Sequence, residues 1–224
     1  MRRQSANTAP ALQKDAYYVL LTGDHAIGRI GLRILIAKLG PHIHMDEATD
    51  IDSMMQRLGS GPVDLLILDN NLPQAESFRL ITRIRKEYPT VHVLIYTVHN
   101  ELILAGRYLR TGVRGYLLKD SGETEVLGAL STIMAGKIYI SDSLARHLAD
   151  QKVDPRIHSF DSLSNREFEV VLQLVKGYPI AEIARILNMN TSTVRTHKNR
   201  VMKKLKVSNS IELITLAQKF QLLR

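Results

Sequence analysis

The chain of 224 residues contains no cysteine and no tryptophan. Without cysteine there are no disulfides and no thiolate ligands for zinc, a lack in keeping with a reducing cytoplasm. Aromatic residues make up only 5%. No apolar run is long enough to cross a bilayer, so no membrane partner is expected. The opening MRRQSANTAPALQKD has two arginines but no apolar segment behind them, which excludes a secretory signal and reads as a disordered leader over residues 1–15. No dinucleotide glycine fingerprint, phosphate loop or nucleophile–histidine pair stands out, and nothing marks an enzyme. The eight histidines show no metal spacing; His42 and His44 alternate along a strand-like stretch and read as surface residues.

What is present is uneven. Hydrophobic residues make up 45% and charged residues 23%, the balance of a globular protein of ordinary domains. The formal net charge is +8, and residues 151–224 hold 13 Lys+Arg against 6 Asp+Glu. Nearly all the excess therefore sits in the last third, a distribution that points to nucleic acid.

In that third, residues 163–205 carry three helical patterns with short breaks. Ser164 with Glu167 forms a capping-box pattern. Phe168, Val171, Leu172 and Val175 follow on one face. Gly177 suits a left-handed helix end, and Pro179 the first turn of the next helix. The second helix buries Ile180, Ile183, Ala184 and Leu187. The third runs from Ser192 to Lys206, with Val194, His197, Val201 and Leu205 inward. Its outer face carries Arg195, Thr196, Lys198, Asn199, Lys203 and Lys206. A cationic helix anchored by two others fits the DNA major groove. Lysine attracts phosphate, while arginine and asparagine can pair with base edges. Position assigns Arg195, Thr196 and Asn199 to bases and Lys203 and Lys206 to phosphate. A solvated basic face on an ordinary helical bundle is the bland alternative.

The first 150 residues alternate strand and helix signals. YYVLLTG, HIHMDEA, VDLLILD, VHVLIYT and GYLLK read as strands. Ile27 to Leu39 (with Ile30, Leu32, Ile34 and Leu35 at apolar positions), Ile51 to Leu58, Ser77 to Tyr88, Glu101 to Arg110 and Thr124 to Ala135 read as helices. Five such alternations predict an α/β fold, a five-stranded parallel doubly wound sheet, whose ligands bind at the carboxyl ends of the strands. Asp24, Asp69, Thr97 and Lys119 fall at those ends. Two carboxylates there could hold a divalent cation, and a lysine and a threonine could hold a phosphoryl group. GKIYISDSLARHLAD then reads as an extension and a helix, and QKVDPRIHSFDS as polar and aperiodic, which places a linker at residues 149–162. A last helix from Ser210 to Leu223 carries Ile211, Leu213, Ile214, Ala217 and Phe220, more apolar surface than one packing face needs.

The C-terminal pattern resembles the LuxR-type helix-turn-helix domain of transcription regulators through Leu163, Ser164, Arg166, Glu167, Glu169, Val170, Gly177, Glu182, Ile183, Ala184, Leu187, Thr193, Val194, Thr196, His197, Lys204, Leu205 and Val207. The motifs VLLTGDH, LLILDNNLP, VLIYT and GYLLKD resemble the receiver domain of two-component response regulators. Together they identify the chain as similar to the NarL/FixJ class. The resemblance implies a receiver domain at 16–148 and an all-α four-helix DNA-binding domain at 163–224, joined in a cytoplasmic transcriptional response regulator. It implies Asp69 as phosphoacceptor and Mg2+ held by Asp69, Asp24 and the carbonyl of Asn71. It further implies Thr97 and Lys119 on the phosphoryl oxygens and Tyr116 as the aromatic switch residue. The implied partners are DNA, a sensor histidine kinase, RNA polymerase and a second copy of the chain. The last helix is the expected dimer surface, with Leu213 and Ala217 on it. Two departures stand out: Gly23 replaces the first of two adjacent acids, which takes one carboxylate from the cation site, and a loop QAES after Pro73 replaces a glycine-rich turn. The alternative is a phosphorylation-independent regulator with a degenerate receiver.

Overall fold

The computed structural model describes residues 15–23, 25–69, 74–98, 102–150, 160, 162–220 and 222. The expected leader up to Lys14, Asp24, Asn71 and most of the expected linker lie outside the described residues. Strands β1 (Tyr17–Thr22), β2 (Ile43–Ala48), β3 (Leu65–Asp69), β4 (His92–Thr97) and β5 (Gly115–Leu118) form one parallel sheet in the order β2-β1-β3-β4-β5. Between and after them come helices α1 (Ala26–Ala37), α2 (Ile51–Ser60), α3 (Gln74–Glu87), α4 (Leu102–Arg110), α5 (Glu123–Met134) and α6 (Asp142–Asp150).

The central strands are apolar on both faces because both are covered. Val19, Leu21, Leu65, Ile67, Leu94 and Leu117 point to α1 and α5, where they meet Leu32, Ile36, Val126, Leu130 and Ile133. Their neighbours Leu20, Leu66, Leu68, Val93, Ile95 and Tyr116 point the other way, onto Met54, Leu58, Phe78, Ile81, Ile84, Leu104 and Tyr108 of α2–α4. The edge strand β2 is covered less and alternates, with His44 exposed between the buried ends Ile43 and Ala48.

One local expectation changes. The QAES segment is not a loop: α3 begins at Gln74, so these residues are its first turn. In α1, Ile30 and Ile34 are exposed together with Ile27, and only Leu32 and Ile36 are buried. A helix lying on a sheet has one inward stripe, and this one has more apolar positions than that stripe can hold.

The C-terminal part holds α7 (Asn165–Val175), α8 (Ile180–Ile186), α9 (Thr191–Leu205) and α10 (Ser210–Lys219). The capping box forms as read: Ser164 Oγ accepts from the Glu167 backbone, and Glu167 Oε2 accepts from the Ser164 backbone. Gly177 is left-handed at φ 82°, but Pro179 is the N-cap of α8 rather than a residue of its first turn. Helix α7 is buried nearly all round, including Glu167, Glu169 and Val170, instead of on the one face that periodicity suggests. The reason is a second cover: α9 and α10 pack on one side and α3 of the first domain on the other. Phe168, Leu172 and the rest of the C-terminal core form one contiguous apolar cluster with the α2–α4 face of the sheet, through Leu144 and Phe160.

Candidate phosphoacceptor edge and nucleic-acid interface

In a sheet ordered 2-1-3-4-5 the chain leaves β1 towards one edge and β3 towards the other. The crevice between the carboxyl ends of β1 and β3 is the switch point where such folds bind ligands. Asp69 ends β3 at that crevice, and Gly23 follows β1 beside it. Thr97 ends β4, fully buried, and Lys119 follows β5. The Lys119 backbone donates to the Thr97 carbonyl at 2.8 Å, which fixes where its side chain starts. Its ammonium then reaches Asp69 Oδ2 at 2.5 Å. It also lies 5.8 Å from the centre of the Tyr96 ring. Burial, and after it the negative charges of Asp69 and Asp120, push the Tyr96 hydroxyl above its ordinary pKa.

The second carboxylate oxygen, Asp69 Oδ1, is buried with no hydrogen-bond partner among the described residues. A carboxylate oxygen withdrawn from water without a donor is costly, and a hard cation is one group that satisfies it. The donor set therefore fits Mg2+ on that side, with fewer acids than a two-acid site because Gly23 brings none. Gly23 is not an empty position. A Cβ built on it would meet Asp69 Cβ and Oδ2 at 2.8 Å, and its φ of 151° is one that side-chain-bearing residues rarely adopt. The loop is held by Arg29, which the sequence did not single out. Its guanidinium donates to the Gly23 carbonyl at 2.5 Å and to Glu47 Oε2 at 2.7 Å. Hydrogen bonds from Arg33 and then Arg29 hold the Glu47 carboxyl below its usual pKa.

Tyr116 is buried on the α4 side, its ring stacked on Tyr108 at 5.7 Å. Tyr108 stacks in turn on Phe78 at 4.5 Å and donates its hydroxyl to Ser77 Oγ at 3.0 Å.

In the C-terminal domain, α9 packs on α7 and α8 through Val194, Val201 and Leu205, with His197 half-buried. Arg195, Thr196, Asn199 and Lys203 are exposed and Lys198 is half-buried, so the first domain does not cover this face. Arg200, which the sequence reading left aside, is exposed on the same helix; it lies four residues after Thr196, the one spacing that could have marked it. Thr196 directs its hydroxyl proton back to the Ser192 carbonyl at 3.0 Å and leaves lone pairs and a methyl outward. Lys206 departs from expectation: it is exposed but lies past the last turn, in the left-handed conformation at φ 55°, so it is the helix C-cap and not part of the outer face. Lys204 turns inward to Glu167 Oε2 at 2.7 Å and the Ser162 carbonyl at 3.2 Å, a structural lysine. Burial alone would push the Glu167 carboxyl up in pKa, but the hydrogen bonds from Lys204 and Ser164 outweigh it and hold the group below its usual range.

The expected dimer surface also needs correcting. Leu213 is 1% exposed and Ala217 0%; both are core residues of the C-terminal cluster. The large apolar residue that α10 turns to solvent, among those described, is Ile211, 76% exposed.

No helix among the described residues is long and apolar enough to cross a membrane. Residues 19–131 match the family model for the response regulator receiver domain, and residues 161–217 that for bacterial regulatory proteins of the luxR family. The response regulator UvrY of Escherichia coli strain K12 is 28% identical over 201 residues, covering 89% of this chain and 92% of that protein. The oxygen regulatory protein NreC of Staphylococcus carnosus strain TM300 is 29% identical over 213 residues, 92% of this chain and 98% of that one. Among solved structures, RcsB of Salmonella enterica serovar Typhimurium, bound to promoter rprA in the presence of the phosphomimetic BeF3-, aligns with a TM-score of 0.68 and 24% identity over 91% of this chain and 98% of that one. The two family models together cover the receiver sheet with its aspartate edge and the bundle that bears the open basic helix, and the chain belongs to the NarL/FixJ-class response regulators, DNA-binding regulators of transcription.

Proposed function

We propose that Asp69 accepts a phosphoryl group from a partner histidine kinase, and that this charge change governs how the luxR-type domain acts on DNA. The observation that carries the reading is the Asp69 carboxylate itself, buried at the strand switch point with one oxygen on Lys119 and the other without a hydrogen-bond partner among the described residues. Asp24 and the Asn71 carbonyl would join Asp69 Oδ1 in holding Mg2+, whose charge would offset the negative charge gathered at the site. Lys119 and Thr97 would receive the phosphoryl oxygens. A phosphoryl group adds negative charge and strong acceptor atoms, so Lys119 would move from the carboxylate to the phosphoryl. Tyr116, stacked on Tyr108, would carry the change into α4.

Arg195, Thr196 and Asn199 would read bases near the start of α9. Lys198 and Lys203 would contact phosphate, and Lys206 would reach phosphate only from the helix end. The protein would act in the cytoplasm as a homodimer, joined through α10 about Ile211, with RNA polymerase as a further partner. The domains would divide near residues 16–148 and 163–224. This role assigns the chain no catalytic residues of its own.

Acetyl phosphate, with Mg2+, should label wild type and leave Asp69→Asn unlabelled. Equal labelling of the two proteins overturns the assignment. The degenerate-receiver alternative draws on Gly23, and it would hold if wild type took up neither phosphate nor beryllofluoride while still binding DNA.

A further inference from the structure

Arg107 sits near the end of α4 and is 4% exposed. A periodic reading makes it one more surface cation of a receiver helix. Instead both of its terminal nitrogens donate to the segment that leads into the other domain. Nη1 donates to the Phe160 carbonyl at 3.2 Å and to the Leu163 carbonyl at 3.0 Å, and Nη2 donates to Asn165 Oδ1 at 2.8 Å. The guanidinium carbon lies 4.3 Å from the centre of the Phe168 ring and 6.0 Å from that of Phe78. These acceptors belong to the segment that leads into α7, so Arg107 holds the entry to the DNA-binding domain. The next residue, Tyr108, faces the receiver and stacks on Tyr116. Consecutive residues of one helical turn thus grip the two domains.

We propose that Arg107 is a positioning residue, an interdomain latch that fixes the orientation of the luxR-type domain on the receiver while leaving its reading face open. Two features argue for a latch over an incidental contact. A guanidinium presents a rigid fork of donors, and here that fork meets three acceptors from one short segment, which specifies orientation as well as proximity. A buried cation is costly unless its partners are in place, so the docked arrangement is strongly preferred over one that slides by a few ångströms. The contact does not hide DNA-binding residues, because Arg195, Asn199 and Lys203 are exposed in the docked chain. The latch therefore governs where the reading helix points, not whether it is accessible. The inference goes beyond the phosphorylation reading and does not need it.

The lack of native cysteine makes the test clean. Ser131→Cys on α5 and Gln218→Cys on α10 place spin labels on two exposed sites, one in each domain. The distance distribution is measured by double electron–electron resonance in the full-length, unphosphorylated protein. Wild type should give one narrow distribution. Arg107→Ala should at least double its width, and Arg107→Lys, which keeps the charge but loses the fork, should fall between. Affinity for DNA should be unchanged in an assay with a single half-site, since no reading residue is touched. A residue that merely supported the receiver core would lower the melting temperature without widening the distribution. A wild-type width in Arg107→Ala overturns the latch. Should that variant fail to fold, Asn165→Ala removes one acceptor from an exposed helix start: partial broadening upholds the proposal and an unchanged width overturns it. Loss of labelling by acetyl phosphate would bear on Asp69 alone, so the two readings fail separately.

Discussion

Replacing Gly23 by alanine is the most direct probe of the receiver edge. An added Cβ would stand 2.8 Å from both Asp69 Cβ and Asp69 Oδ2, at a φ of 151°. Forcing a side chain into a sparsely populated backbone region costs about 1–3 kcal/mol. Over-packing a filled site costs about 1–3 kcal/mol more. The loss of unfolded-state freedom on going from glycine to alanine returns about 0.4–1 kcal/mol. The net expectation is a loss of about 3 kcal/mol, which at this chain length lowers the melting temperature by about 6–12 °C. Gly128 on α5 is the internal control, since nothing lies within 4 Å of a Cβ built there. There alanine should stabilise by about 0.5–1 kcal/mol, the usual gain for removing glycine from a helix interior. Thermal unfolding followed by circular dichroism reads both signs in one series. Because the added methyl displaces Asp69, labelling by acetyl phosphate should fall in Gly23→Ala and stay unchanged in Gly128→Ala. A Gly23→Ala protein that melts and labels like wild type refutes the packing argument. The same geometry reverses the simple expectation that Gly23→Asp would add a ligand and tighten Mg2+: its Cβ would collide with the very carboxylate that it should assist.

Other outcomes follow from the C-terminal domain. Arg195→Ala should cost about 1–3 kcal/mol on a preferred site and relax sequence preference, whereas Lys203→Ala should weaken all sequences alike and reduce the salt slope by about one unit; equal losses on preferred and random DNA for Arg195→Ala would make it a phosphate contact. Ile211→Asp should lower dimer formation and affinity for paired half-sites with the fold intact by circular dichroism, while Leu213→Asp puts an unpaired charge in the core and should unfold the domain; the opposite pattern would return the dimer surface to the inner face of α10. The depressed Glu167 carboxyl contributes stability that is fully present above its unfolded pKa and is lost as the pH falls through its lower folded value. A Glu167→Gln protein should therefore show a flatter loss of melting temperature below about pH 4.3, the ordinary glutamate range; parallel curves for the two proteins would argue against the pairing with Lys204.

The sequence was most legible where a short-range rule and the tertiary fold agree. The strands of the sheet, the capping box at Ser164 and the inner face of α9 all follow from local pattern, and so does the place of Asp69 at a strand end. It was least legible where one element serves two partners. Periodicity assigns α7 one buried face, and nothing local reveals that α3 covers the other. The same blindness hides Arg107, whose acceptors lie more than fifty positions along the chain. It also misplaces Leu213 and Ala217, because an apolar helix does not say which of its faces meets the core and which meets solvent. Lys206 fails for a smaller reason: helix ends are set by capping geometry, which shifts by a residue or two without a strong sequence signal. Gly23 was legible as a missing acid but not as a tight contact, because close packing against Asp69 is a property of the folded loop.

The apolar cluster that runs unbroken from the α2–α4 face through Phe160 to Phe168 makes the two domains thermodynamic neighbours. Heat that loosens one withdraws the packing of the other, so the chain should melt in a single calorimetric transition, not as two independent units. A ligand that binds only the folded form of either part then raises the melting temperature of both. An operator duplex held by the C-terminal helices would protect receiver amides against hydrogen exchange, far from any nucleotide. A fragment cut between the domains would lose that mutual protection and expose the α3-facing side of α7, a surface that is covered in the intact chain and would favour aggregation once bare.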